Sequence, residues 1–345
     1  MKKIFIVISL ILILTGCNNK VEDNKKLKTL QISDDYYEIA SPYKKGVGNN
    51  YGITGVYNNY DLDEIEKWLM NLSTEYFKPD NSYYQAGQYL KEKDLKKLLS
   101  KDMLNNNEAI KIDGVKINPT YISYIHEQNY LDVNGKLKGI SLGIVLNPYQ
   151  EYTNEYGAYL YKTVNENELI EYGKKASKKL LDYLINDKKL NKNKFMIALY
   201  IESKPNDSLP GSFRYVGITS RNVINFKPVN YHYEYLKSDY VMSNDTNLYN
   251  MILALEEKIK EIVDSTYLSG SILYIDNQVS SMEININTNY INRSELLIIS
   301  QILNDEITNS FSNYLDIKVY IKENNNIKVV SNKEDGKNKI IFLNN

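Results

Sequence analysis

From residue 61 onward, segments with helical hydrophobic spacing alternate with short segments that have the apolar runs or two-residue period of strands. The helical spacing predicts amphipathic helices at residues 61–77, 92–100, 165–186, 244–264 and 292–311. The strand patterns predict strands at residues 194–203, 213–219, 271–275, 281–287, 315–322 and 339–343. Helices that pack on a largely antiparallel sheet, or on several such sheets, accommodate this order best, so the expected fold class is α+β.

Three of these helices carry polar residues at their start that match a capping box. Asp61 is followed three residues later by Glu64, Asn165 by Glu168, and Asn292 by Glu295. We therefore place the helix starts at these three residues.

The dipeptide Asn134–Gly135 is a strong hairpin signal because both of its residues tolerate positive φ. It predicts strands that run to Val133 and from Lys136 to Leu146, although residues 121–128 also fit a helix after Pro119. The order of elements further along the chain suggests a weak internal α-β-β duplication, without a convincing repeat of residues.

Length and composition describe a folded chain of one large or two compact domains. The sequence has 345 residues, of which 43% are apolar and 25% charged, and residues 150–165 are one place for a sub-boundary. Charges of both signs are interspersed and the net charge is -1, which argues against nucleic acid as a partner. The 32 tyrosines fit either codon bias or a surface that binds a sugar or a partner.

The amino terminus has the features of an export signal. Lys2 and Lys3 precede an apolar run at residues 4–14, which is too short to cross a bilayer as a stable helix. The run ends in Leu14-Thr15-Gly16-Cys17, which resembles the lipobox of bacterial lipoproteins. That resemblance implies a signal peptide at residues 1–16, cleavage by signal peptidase II between Gly16 and Cys17, and acylation of Cys17.

Two acyl chains on Cys17 would hold the exported protein at the extracellular face of the cell membrane, with membrane lipid and the lipoprotein-processing enzymes as its partners. Residues 17–44 are polar and read as a flexible tether, and residues 45–345 as the extracellular body. Cys17 is the single cysteine, so an intramolecular disulfide is excluded.

A search for catalytic and metal-binding motifs gives no candidate residues. His126 and His232 are far apart, and the zinc, phosphate-loop, dinucleotide and nucleophile-elbow patterns are all absent. We therefore expect no catalytic residue, metal or cofactor, and read both histidines as structural. A surface protein that binds a small molecule, peptide or glycan is the alternative, and a cell-envelope hydrolase with scattered carboxylates is the less favoured one.

Four segments in order resemble the CamS family, the lipoproteins described as sex pheromone precursors in low-GC Gram-positive bacteria. They are QAGQYL at 85–90, YIHEQNYL at 124–131, GISLGIVLNP at 139–148 and PGSFRYVG at 210–217. The resemblance implies an α+β extracellular body with no established enzymatic activity and with an unknown protein partner.

The resemblance also implies that the cleaved signal peptide is trimmed to a hydrophobic mating signal of about seven residues. Here that peptide is LILILTG, which comprises Leu10, Ile11, Leu12, Ile13, Leu14, Thr15 and Gly16. It lacks the early aromatic residue and the small residues at the end that the family's pheromones favour.

Overall fold

The computed structural model describes residues 37–48, 59–105, 108–220 and 222–343, with the side chains of residues 59 and 60 left out. In these residues helices pack on largely antiparallel sheets, which confirms the α+β class. The helices are α1 (Asn59–Ser73), α2 (Glu92–Leu98), α3 (Glu166–Asn186), α4 (Asp239–Asn244), α5 (Thr246–Lys260) and α6 (Arg293–Asn309).

The first sheet has seven strands in the order β1-β2-β5-β6-β9-β10-β11. Their bounds are β1 (Glu38–Ile39), β2 (Tyr83–Ala86), β5 (Ile122–Leu131), β6 (Leu137–Leu146), β9 (Lys194–Ile201), β10 (Ser212–Ser220) and β11 (Val223–Pro228). Two short hairpins lie outside it, formed by β3 (Ile110–Ile112) with β4 (Val115–Ile117) and by β7 (Tyr149–Thr153) with β8 (Tyr159–Thr163).

The second sheet has six strands that are neighbours in chain order. They are β12 (Tyr231–Tyr235), β13 (Tyr267–Ile275), β14 (Gln278–Thr288), β15 (Asp316–Glu323), β16 (Asn326–Glu334) and β17 (Lys337–Phe342). The chain passes from one sheet to the other between Pro228 and Tyr231, whereas residues 150–165 lie mostly in the β7–β8 hairpin. The proposed domain bounds remain a prediction.

The two sheets repeat one topology. In the first sheet, neighbours in the order β2-β5-β6-β9-β10-β11 are antiparallel except for the parallel pair β6 and β9. In the second sheet, neighbours from β12 to β17 are antiparallel except for the parallel pair β14 and β15, which holds the same central position. In both sheets a helix, α3 or α6, connects the parallel pair. The repeated unit is therefore longer than the α-β-β unit suggested by the sequence.

Helices cover the first sheet on both faces. Ile65 and Leu69 of α1 lie next to Gly143 on one face, while Gly173 of α3 lies against Leu146 and Leu199 on the other. This explains why β6 and β9 are buried along nearly their whole length. The second sheet has a separate apolar core in which Ile252, Ile299 and Ile284, among others, are fully buried.

Three local expectations are corrected by the structure. Tyr37 and Ala40 are buried and β1 pairs with β2, so these residues of the segment predicted as a flexible tether are packed on the first sheet. Helix α1 begins at Asn59, so Asp61 is not its cap. Residues 122–131 form a strand because they pair with β2 and β6, which excludes the alternative helix at 121–128.

Candidate functional site: a cleft at the carboxyl ends of two parallel strands

A polar cleft of about 460 Å³ lies where β6 and β9 end. Its walls are the base of the β7–β8 hairpin, the start of α3, residues 202–211 after β9, and the middle of β12 from the second sheet. Crevices outside the carboxyl ends of parallel strands are common ligand sites because the connecting loops diverge there. We refer to this feature as the carboxyl-edge cleft.

The cleft exists because the first repeat has longer connections than the second. Residues 147–165 join β6 to α3, whereas only residues 289–292 join β14 to α6. Residues 202–211 join β9 to β10, whereas a turn at 324–325 joins β15 to β16. The additional chain in the first repeat lines the cleft, and long structured connections often carry function.

Asp61 of α1 is fully buried and fastens the long connection after β9. Its Oδ1 accepts hydrogen bonds from the Tyr200 hydroxyl at 2.7 Å and from the Gly211 amide at 2.6 Å. Its Oδ2 accepts from the amide and the hydroxyl of Ser203, both at 3.1 Å. Burial raises the pKa of the Asp61 carboxyl, and these four hydrogen bonds oppose that shift.

Gly211 allows the chain to pass close to the end of β9. A Cβ added there would lie 1.9 Å from the Ile201 carbonyl oxygen, a distance no side chain tolerates. Glycine at this position therefore brings the amide of residue 211 within hydrogen-bonding distance of Asp61.

A second buried carboxylate joins α1 to the second sheet. Glu64 accepts a hydrogen bond from the Tyr233 hydroxyl of β12, and burial raises the pKa of the Glu64 carboxyl. Beside it the Trp68 ring stacks on Tyr231 with 4.1 Å between ring centroids and 16° between planes. These contacts hold β12 against α1, so the wall that β12 gives to the cleft is fixed.

The mouth of the cleft carries an ion pair at the start of α3. Arg214 of β10 donates from Nε to Glu166 at 2.7 Å, and a second guanidinium nitrogen donates to the Ser212 hydroxyl. The cap of α3 is Asn165, whose side chain accepts from the amides of residues 167 and 168, as its sequence pattern predicts. The charged groups at the mouth are therefore of both signs.

The β7–β8 hairpin carries tyrosines on the face that continues from the cleft. Tyr149 lines the cleft, and its ring meets Tyr161 edge to face with 5.7 Å between centroids. Tyr159 lies two residues before Tyr161 on β8 and is 69% exposed. We call Tyr149, Tyr161 and Tyr159 the tyrosine row.

The opposite face of the hairpin fixes its position. Gln150 and Tyr152 are buried there. The side-chain oxygen of Gln150 accepts a hydrogen bond from the backbone N–H of Thr120 at 2.8 Å. The side-chain nitrogen of Gln150 donates to the backbone carbonyl of Asn147 at 2.8 Å. The hairpin therefore presents the tyrosine row from a supported base.

The two histidines occupy separate places. His126 is buried in β5, and burial lowers its pKa to about 4. The neighbouring Glu127 points to the other face and accepts from the amides of residues 88–90, so the two side chains form no acid–base pair. His232 stacks on Tyr274 and lies at the edge of the cleft, and burial lowers its pKa.

The arrangement offers hydrogen-bonding groups and aromatic contact, and the lining of the cleft includes Glu166, Glu202, Asp207 and Glu234. Asp61 and Glu64 are occupied in fastening chain segments, and no group of three potential metal ligands occurs among the described residues. Within the same residues, no helix is long and apolar enough to span a bilayer.

The amino-terminal residues predicted from the sequence, Leu10 to Gly16 and Cys17, lie outside the described residues. The sequence did not identify the cleft, because its residues come from segments far apart along the chain. The one available signal was the number of tyrosines, three of which form the row.

Comparisons with known proteins agree on one family. The sequence model described as "CamS sex pheromone cAM373 precursor" matches residues 43–339, and a prokaryotic membrane lipoprotein lipid attachment site matches residues 1–18. No curated protein matches the chain.

Two solved structures share the fold at low sequence identity. The sex pheromone precursor from Lactobacillus salivarius is 20% identical, with a TM-score of 0.82 over 92% of this chain and 99% of that one. The C-terminal domain of the sex pheromone staph-cAM373 precursor from Staphylococcus aureus is 20% identical, with a TM-score of 0.69 over 84% of this chain and 99% of that domain.

Proposed function

Since the chain belongs to the CamS family of sex pheromone precursors and carries a lipoprotein attachment site, we propose that Cys17 is acylated and holds the body at the extracellular face of the membrane. The attachment site is the observation that carries this proposal. Cleavage between Gly16 and Cys17 gives a mature chain that starts at the lipidated residue. Its partners in this process are membrane lipid and the lipoprotein-processing enzymes.

Mass spectrometry of the mature amino terminus tests the anchor. We expect a diacylglyceryl-modified Cys17 as the first residue and recovery of the protein in the membrane fraction. In a Cys17→Ser variant the two acyl chains cannot be attached, so the protein should move to the culture medium or remain as an unprocessed precursor. An unmodified Cys17, or a chain that begins elsewhere, would falsify the proposal.

We also propose that the cleaved signal peptide is the source of a mating signal, the peptide Leu10 to Gly16. The family to which the chain belongs supports this step. Synthetic LILILTG should raise plasmid transfer in a conjugation assay above the level given by a scrambled peptide of the same composition. Equal responses would remove the signalling role and leave the anchored lipoprotein in place.

For the folded body we propose a non-enzymatic binding function at the carboxyl-edge cleft. The cleft has convergent polar groups, and the buried Asp61 outside its lining is held by the Tyr200 hydroxyl and the Gly211 amide. A hydrolase needs a carboxylate that reaches the substrate, and the structural hydrogen bonds of Asp61 and Glu64 remove these two carboxylates as candidates for that role.

A further inference from the structure

We propose that the carboxyl-edge cleft and the tyrosine row together bind an extended saccharide chain. This inference rests on the proposed binding function of the body and adds the class of ligand. The cleft would receive one end of the saccharide, and successive sugar rings would lie along the hairpin on Tyr149, Tyr161 and Tyr159.

The row is continuous with the cleft because of the strand register. Tyr149 of β7 is opposite Thr163, and Glu151 is opposite Tyr161, so these side chains share one face of the hairpin. Both Tyr149 and Thr163 line the cleft, while Tyr161 and Tyr159 are 43% and 69% exposed. Successive members on β8 are two residues apart, which separates them by about 7 Å. A linear ligand therefore meets aromatic contacts at regular intervals.

The chemistry of the row suits sugar rings. Tyrosine gives an apolar ring face and a hydroxyl, which matches a pyranose with its apolar C–H face and its rim of hydroxyls. The Tyr159 hydroxyl is bonded to Glu151, which fixes the orientation of that ring. Tyrosine also loses little conformational entropy on binding because it has only two side-chain torsions.

The polar groups of the cleft suit a ligand with many hydroxyls and little charge. Glu166 and Arg214 are paired at its mouth, and Lys204 lies 5.9 Å from the centre of the Tyr161 ring. The lining has four carboxylate residues against these two cations, which disfavours a strongly anionic ligand such as a phosphorylated or sulfated chain. These charged groups also supply donors and acceptors for sugar hydroxyls.

The location of these residues supports a selected site. The hairpin belongs to residues 147–165, the connection that the second repeat shortens to residues 289–292. The second sheet has the same topology without such a hairpin. In the first repeat, the buried Gln150 and Tyr152 hold the hairpin in one position. A supported exposed aromatic surface is typical of an interaction site.

Calorimetric titration of the mature lipoprotein in detergent micelles tests the proposal, with β-1,4-linked N-acetylglucosamine oligomers from dimer to hexamer as probes. The affinity should rise with oligomer length because longer chains reach more of the row. The Tyr161→Ala and Tyr159→Ala variants should each weaken hexamer binding roughly tenfold and change dimer binding less. The proposal is wrong if no oligomer binds, or if both variants bind the hexamer as the wild type does.

Tyr290→Ala provides the matched control, since Tyr290 is also 69% exposed but lies after β14, in the second repeat. It should leave hexamer affinity unchanged, and thermal unfolding should show that all three variants fold. A hexapeptide of neutral residues is the competing probe, and binding of that peptide alone would overturn the saccharide assignment. Binding of the peptide alone would leave the proposed binding function of the cleft in place, and neither result bears on the lipid anchor at Cys17.

Discussion

Asp61 links the stability of the body to pH. Its carboxyl pKa is raised by burial above the ordinary value of 3.8, so the folded protein holds this proton more tightly than the unfolded chain. The stabilisation is complete below pH 3.8 and is lost as the pH rises through the folded-state pKa. We expect the free energy of unfolding contributed by this group to fall with rising pH across that window.

The Asp61→Asn variant isolates this effect. The side-chain NH2 group of asparagine cannot accept the hydrogen bonds that Ser203 donates to Asp61. The variant should therefore be less stable by about 1–3 kcal/mol. The deficit should shrink as pH rises, because only the wild type loses the contribution of its proton. Urea unfolding from pH 4 to pH 8 measures both, and Asp63→Asn on the same helix is the control for removing an exposed carboxylate. A deficit that does not change with pH would contradict this account.

At the scale of elements, periodicity located the helices whose apolar stripe is long. Helix α3 begins at its predicted cap, and α6 follows Asn292 with the expected capping box. Asp61 and Glu64 have the same spacing as a capping box, yet both carboxylates bind groups far along the chain. Local sequence cannot separate a cap from a buried acceptor, because the distant donors decide between them.

Strands β8 and β12 were not predicted, because their sequences lack the hydrophobic pattern of a half-buried strand. All residues of β8 are exposed, so no buried face requires apolar residues to alternate with polar ones along this strand. Strand β12 has the sequence YHYEY, and its Tyr231 is buried against Trp68. Tyrosine suits both water and a protein core, so hydrophobic pattern could not place these strands. Without them neither the cleft nor the repeated topology could be predicted.

At the scale of the whole molecule, the two repeats have separate cores that meet at α1 and β12. Trp68 lies at this junction, stacked on Tyr231 and donating from Nε1 to the Tyr233 hydroxyl at 3.4 Å. Leu273 of β13 also belongs to the core of the first repeat, so the second sheet is packed against the first half at this edge. Each core buries its own apolar surface, and we expect the contacts at the junction to couple the unfolding of the two halves.

Replacing Trp68 by alanine should uncouple the two halves. The lost packing should lower the free energy of unfolding by about 3 kcal/mol. Peptides from residues 239–343 should then become exchangeable at a different urea concentration from peptides of residues 122–201. In the wild type, hydrogen-exchange mass spectrometry should show one common transition. Trp68→Phe keeps an aromatic ring but loses the weak Nε1 hydrogen bond and part of the stacked ring surface, so it should cost about 1 kcal/mol and remain cooperative. A single shared transition in Trp68→Ala would show that other contacts, such as Glu64 with Tyr233, carry the coupling.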